Sequence, residues 1–153
     1  MNSLDGGRLV GHLGQRGTRV FLGEDDHEMR RLLASALRRD GHQVFERANG
    51  LDLLAVVESQ QPAAPRAHRD VVVTDVRMPG ATGLEVLAAL RSRDLLIPVV
   101  IITGFGDPET HAEAWRLGAA AVFDKPFALA ELRQTVFWLA VADSRPDNSN
   151  GVE

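Results

Sequence analysis

The stretch Asp70-Val71-Val72-Val73-Thr74-Asp75 most constrains what this chain can fold into. Three consecutive valines leave a strand with no polar face, so it must be covered on both sides, as in a parallel sheet sandwiched by helices. Val99-Val100-Ile101-Ile102-Thr103, introduced by Pro98, is a second run of the same kind. The first run ends on a carboxylate, and after Val76-Arg77-Met78 the pair Pro79-Gly80 turns the chain. In open α/β sheets the chemistry collects beyond the carboxyl ends of the strands. An Asp at that place either caps the loop or carries chemistry, and the ends of the other strands decide which.

The remaining elements follow from apolar spacing. Arg19-Val20-Phe21-Leu22-Gly23 is a first strand running into Glu24-Asp25-Asp26. Met29, Leu32, Leu33, Ala36 and Leu37 then fall at helical spacing, with Asp26 as N-cap and Gly41 as the stop after Arg38 and Arg39. Gln43-Val44-Phe45 is a short second strand, and Asn49 caps a helix whose apolar positions are Leu51, Leu54, Val57 and Leu53. Residues 59 to 69 read as a surface connection. After the valine strand, Thr82-Gly83-Leu84-Glu85 fits a capping box. A helix between Pro108 and Gly118, a fifth strand Ala120–Asp124 and a last helix over about 128–142 complete the order. Five strands alternating with five helices predict a doubly wound parallel sheet with right-handed crossovers.

Glycines dominate residues 1–18, which read as a flexible leader, and residues 143–153 read as a disordered tail. The expected domain is therefore 19–142. A formal charge of −4 offers no footprint for DNA or an anionic membrane. The chain has no cysteine, which excludes a disulfide framework and a thiolate metal site. No apolar run approaches the ~18 residues of a membrane span. The expectation is a cytoplasmic protein.

The strand ends carry a consistent set of groups: Glu24 and Asp25 after the first, Asp75 after the third, Thr103 after the fourth, Lys125 after the fifth. A parallel sheet brings all of them to one edge. Three carboxylates repel one another unless a cation holds them, and Mg²⁺ suits a few carboxylates with waters and a phosphate. Carboxylate, metal, ammonium and hydroxyl together can stabilise a phosphoryl group in transfer. Asp75 is then a nucleophile that becomes an aspartyl phosphate. Asp26 and the neighbouring His27 read more simply as a helix cap and an exposed first-turn residue.

Glu24-Asp25, Asp75 with Met78-Pro79-Gly80 and Gly83, Thr103, and Lys125-Pro126-Phe127 resemble the receiver domain of two-component response regulators, of the single-domain, chemotaxis-regulator-like kind. The resemblance spans about residues 18–142. It implies a flavodoxin-like sheet in the order 2-1-3-4-5, Mg²⁺ as cofactor, and phosphotransfer from a sensor histidine kinase or a histidine phosphotransfer protein. Asp75 corresponds to the phosphoacceptor. Glu24, Asp25, Asp75 and the backbone carbonyl of Arg77 correspond to the metal ligands. Thr103 and Lys125 correspond to the groups that bind the phosphoryl oxygens, and the Lys125-Pro126 bond is expected to be cis.

The chain departs from that pattern at Val122, where family members carry a Tyr or Phe that rotates with phosphorylation state. Phe123 is the nearest ring, and strand alternation points it to the other face. Gly104 after the threonine leaves the site open to water, and Arg77 and Phe105 occupy positions that tune dephosphorylation in the family. On the last helix, Leu129, Leu132, Val136, Leu139 and Ala140 form a stripe facing the sheet, with Trp138 and Val141 opposite and Phe137 at the border. With Val122 these residues form the expected partner surface, for a homodimer or a downstream protein.

The leading expectation is a phosphoacceptor switch that signals through a protein partner, whether alone or as part of a hybrid kinase or relay. An aspartyl-phosphate phosphatase would need Asp-x-Asp, and Arg77 stands where the second acid belongs. A phosphorylation-independent interaction module is the remaining alternative, kept open by Val122.

Overall fold

The computed structural model describes residues 18–61, 69–104 and 107–142. The strands are β1 (Thr18–Gly23), β2 (Gln43–Arg47), β3 (Arg69–Asp75), β4 (Val99–Thr103) and β5 (Ala121–Asp124). The helices are α1 (His27–Arg39), α2 (Gly50–Ser59), α3 (Gly83–Ser92), α4 (Pro108–Arg116) and α5 (Leu129–Ala142). All strands are parallel, in the order β2-β1-β3-β4-β5. Residues 1–17 of the expected leader, the expected tail, the 62–68 part of the connection, and Phe105 lie outside the described residues, whereas Thr18, expected in the leader, is buried and opens β1.

The valine run does what its composition demands. Val71 and Val73 point into the layer under α1 and α5, with Val20, Leu22, Leu33, Leu37, Leu132 and Val136. Val72 points into the other layer, with Phe21, Leu53, Leu87, Leu90 and Ile101. All three valines are fully buried. Each contributes about 1.5–3 kcal/mol relative to exposure. A polar residue on either side of this strand would face a dry layer.

Local signals set the helix starts. Asp26 accepts from the Met29 N–H, Asn49 from Asp52, and Thr82 and Glu85 exchange both bonds of a capping box. Gly41 and Gly118 end α1 and α4 with positive φ. The expected phase of α2 is corrected. Leu53, Val56 and Val57 are its buried positions, while Leu51 is 60% exposed and lies over the Gly80 turn. On α5 the expected stripe holds, with Leu132, Val136 and Ala140 buried.

Candidate functional site

Parallel strands deliver β1, β3, β4 and β5 to one edge, and there the chain brings together most of the residues singled out from its sequence. Glu24 and Asp25 follow β1, Asp75 ends β3, and each offers a carboxylate oxygen within 4.8 Å of the others. Glu24 is 2% exposed and Asp75 6%, whereas Asp25 is exposed. Lys125 reaches in from the turn after β5, its Nζ 2.6 Å from Asp75 Oδ2 and 3.0 Å from Glu24 Oε1. The Lys125-Pro126 bond is cis.

Thr103 ends β4, is buried, and stands one position beyond the residue paired with Asp75. Its carbonyl accepts the Lys125 backbone N–H at 2.8 Å, fixing the lysine turn to β4. Arg77 donates its backbone N–H to Asp75 Oδ1 at 3.2 Å, so both carboxylate oxygens of Asp75 are engaged. Thr74 Oγ1 donates to the Asp75 carbonyl at 3.0 Å, and the Val76 N–H to the Ile102 carbonyl at 2.9 Å. The start of α3 packs so close that a Cβ on Gly83 would stand 2.3 Å from the Asp75 carbonyl oxygen.

Burial sets the electrostatics. It pushes the Glu24 carboxyl up to about 7, with the neighbouring Asp75 carboxyl acting in the same direction and Lys125 opposing. Burial also works against the Lys125 charge, but Asp75 and Glu24 outweigh it and hold the ammonium above the usual lysine range. Glu24 Oε2 is buried with no hydrogen-bond partner. A buried carboxylate oxygen left over beside two further carboxylates suits a hard, oxygen-seeking cation.

Asp26 caps α1 and is not in the acidic cluster. His27 Nδ1 faces Arg30 Nη2 at 3.0 Å and is likewise outside it. Val122 and Phe123 point to opposite layers, as alternation predicts. Val122 therefore lies on the opposite face of the sheet from α5, and is not continuous with Phe137, Trp138 and Val141 there. Trp138 is 59% and Phe137 40% exposed, with their rings edge to face at 5.8 Å.

The sequence reading missed Arg30, whose Nη1 donates to the Glu24 carbonyl at 2.9 Å. Helix side chains lean towards the N-terminus, so a long residue one turn into α1 naturally reaches back to the preceding loop.

The family model for the response regulator receiver domain matches residues 20–137. The chain belongs to this family. It is a receiver domain of two-component signalling. It is 33% identical over 118 residues to sporulation initiation phosphotransferase F of Bacillus subtilis, covering 77% of this chain and 90% of that protein. It is 38% identical over 108 residues to transcriptional regulatory protein FixJ of Azorhizobium caulinodans, covering 71% of this chain but only 48% of that protein. Among solved structures, the receiver domain of Francisella response regulator 1452 superposes with a TM-score of 0.74 at 22% identity, covering 82% of this chain and 98% of that one. Vibrio cholerae chemotaxis protein CheY4 does so at 0.69 and 26%, covering 80% and 98%. The receiver reading and the flavodoxin-like order are thus borne out. Receiver domains are signalling switches phosphorylated by histidine kinases or phosphotransfer proteins. Among the described residues no helix is long and apolar enough to cross a membrane.

Proposed function

We propose that this receiver domain is a phosphoacceptor switch whose phosphorylated residue is Asp75. The observation that carries this reading is the seating of a buried carboxylate between the Arg77 N–H and the Lys125 ammonium, beside two further carboxylates. An Asp75 oxygen attacks the phosphorus of a phosphohistidine; the O–P bond forms, the P–N bond breaks, and the imidazole leaves. Lys125 is placed to hold the negative charge that gathers on the transferred group, and Thr103 to donate a hydroxyl to it.

Glu24, Asp25, Asp75 and the Arg77 carbonyl would hold Mg²⁺. When bound, the cation neutralises phosphoryl oxygens and orients the donor. An apolar cleft beside the site, lined by Met29, Leu32, Leu33, Phe127 and Leu129 with Lys125 at its edge, gives a phosphodonor protein a surface within reach of Asp75. The similarity to a phosphotransferase over nine-tenths of that protein's length supports onward transfer to another protein. Phe137, Trp138 and Val141 are an association face for a second copy of this chain.

The test is mass spectrometry after incubation with Mg²⁺ and acetyl phosphate. The expected result is a single adduct of about 80 Da, one added HPO₃, absent from Asp75→Asn. A folded wild-type protein that takes up no phosphoryl group would instead favour a phosphorylation-independent interaction module, with Val122 as its first residue to probe.

A further inference from the structure

Glu24 is the most deeply buried member of the acidic cluster, and its backbone is held from both sides. Its N–H donates to the Arg47 carbonyl at the end of β2 at 3.1 Å. Its carbonyl accepts from Arg30 Nη1 at 2.9 Å. The same guanidinium turns Nη2 to His27 Nδ1 at 3.0 Å, so one rigid fork grips both ends of the connection between β1 and α1. Its Nε lies 3.8 Å from Glu46 Oε1 on β2. Glu46 is itself fixed by Arg38 Nη1 at 2.9 Å. The Arg30 side chain is only 16% exposed.

We propose that Arg30 is a positioning residue for the acidic cluster: it fixes the connection bearing Glu24 and Asp25 so that both face Asp75, and thereby sets the affinity for the divalent cation. The inference rests on the Mg²⁺ reading above. Asp25 is exposed, so its placement depends on the backbone that Arg30 holds. Mg²⁺ demands near-ideal octahedral geometry, which makes it sensitive to a loosened ligand loop. Groups that orient metal ligands without touching the metal commonly carry about 10–100-fold in affinity.

The charge of Arg30 has the opposite consequence. A cation near a cation site repels Mg²⁺, so deleting it for electrostatic reasons alone would tighten binding. Glu46 offsets part of that charge, and the bond to Glu24 goes to its carbonyl, leaving the carboxylate for the cluster. Positioning and repulsion therefore predict opposite signs for one substitution.

The experiment is calorimetric Mg²⁺ titration, without phosphodonor, of wild type, Arg30→Met, Arg30→Lys and Arg31→Ala. Arg30→Met keeps the aliphatic stem and loses the fork; Arg31 is the neighbouring exposed arginine. Arg30→Met should bind Mg²⁺ about 10-fold more weakly, with Arg31→Ala unchanged. Arg30→Lys, which can reach one partner at a time, should fall between Arg30→Met and wild type. With acetyl phosphate, the Mg²⁺ concentration for half-maximal phosphorylation should rise by the same factor while the rate at saturating Mg²⁺ stays unchanged, a split that simple loss of folded protein does not produce. Unchanged or tighter binding by Arg30→Met overturns the proposal. Should that variant not fold, Arg30→Lys carries the test, with weaker binding expected and unchanged binding overturning it. A wild-type protein that binds no Mg²⁺ overturns the cofactor reading and this one together.

Discussion

Lys125 Nζ lies 2.6 Å from Asp75 Oδ2, joining the turn after β5 to the end of β3, and the same ammonium sits 3.0 Å from Glu24 Oε1 after β1. One fixed cation thus serves two buried acids from different strands. Lys125→Met would leave those acids facing each other with no charge between them. The metal-free domain should lose about 1–3 kcal/mol, less than a fully buried pair because the lysine side chain is 28% exposed. Mg²⁺ should then stabilise the variant more than it stabilises the wild type, because it supplies the missing cation. Urea denaturation with and without Mg²⁺ checks both statements, and a loss that Mg²⁺ leaves untouched would contradict them.

Glu24 gives a pH dependence of definite sign. Its carboxyl lies at about 7 in the folded chain against an ordinary 4.5, so the folded state holds the proton more tightly. The stability this contributes is fully present below about 4.5 and is lost as pH rises through about 7. Glu24→Gln removes the buried charge. Without metal, the variant should be more stable than wild type at pH 8, by on the order of 2 kcal/mol, with the difference vanishing towards pH 5. The same variant should bind Mg²⁺ poorly. Paired denaturation curves at the two pH values decide it.

How far the sequence reveals this arrangement depends on what each feature needs. Val71–Val73 and Val99–Ile102 are apolar on both sides, so burial, strand type and sheet class follow from composition alone. Asp26, Asn49, Thr82 and Gly118 mark helix ends through local chemistry, and strand ends in a parallel sheet meet by construction. Rotational phase is harder. In α2, Leu51, Leu53, Leu54, Val56 and Val57 make the helix apolar almost all round, so spacing cannot tell that Leu51 faces outward. Arg30 and Arg31 are identical in type, and only the seating of α1 on the sheet distinguishes the one that reaches Glu24. The depth difference between Glu24, which is buried, and Asp25, which is exposed, is likewise a property of packing.

His42 offers an independent acid response. It is 8% exposed between α1 and β2, and neither ring nitrogen has a hydrogen-bond partner. Burial lowers its pKa, with Asp40 opposing. Because the neutral form is favoured on folding, its contribution is full above the ordinary 6.5 and is lost as pH falls through that value towards the lowered one. His42→Leu should therefore gain stability relative to wild type between pH 7 and pH 5. The comparison must be between proteins at each pH, since Glu24 moves the wild type the other way in the same window. A constant difference would rule His42 out.

Gly83 couples fold to site through bare contact. A Cβ there would stand 2.3 Å from the Asp75 carbonyl oxygen and 3.0 Å from its carbon. Neither is a flexible side-chain end, so α3 or the loop after β3 must shift. Gly83→Ala should cost about 1–3 kcal/mol and slow phosphorylation of Asp75. A thermal melt together with the acetyl phosphate reaction measures both; unchanged values would mean that the loop yields at no cost.

Phe137 and Trp138 present two edge-to-face rings on the side of α5 away from the sheet, 40% and 59% exposed. Neither belongs to the buried stripe of Leu132, Val136 and Ala140, so a charge at Trp138 leaves the interior intact. Trp138→Glu should change unfolding free energy by no more than about 0.5 kcal/mol. A two-fold dimer uses one face twice, so the substitution would bury two like charges against each other and abolish association through α5. Sedimentation equilibrium on wild type and variant, each with and without acetyl phosphate and Mg²⁺, reads this directly. A wild type that associates and a variant that does not would assign the face. Equal association would move the contact elsewhere, and a monomer under every condition would leave these rings with no role in self-association.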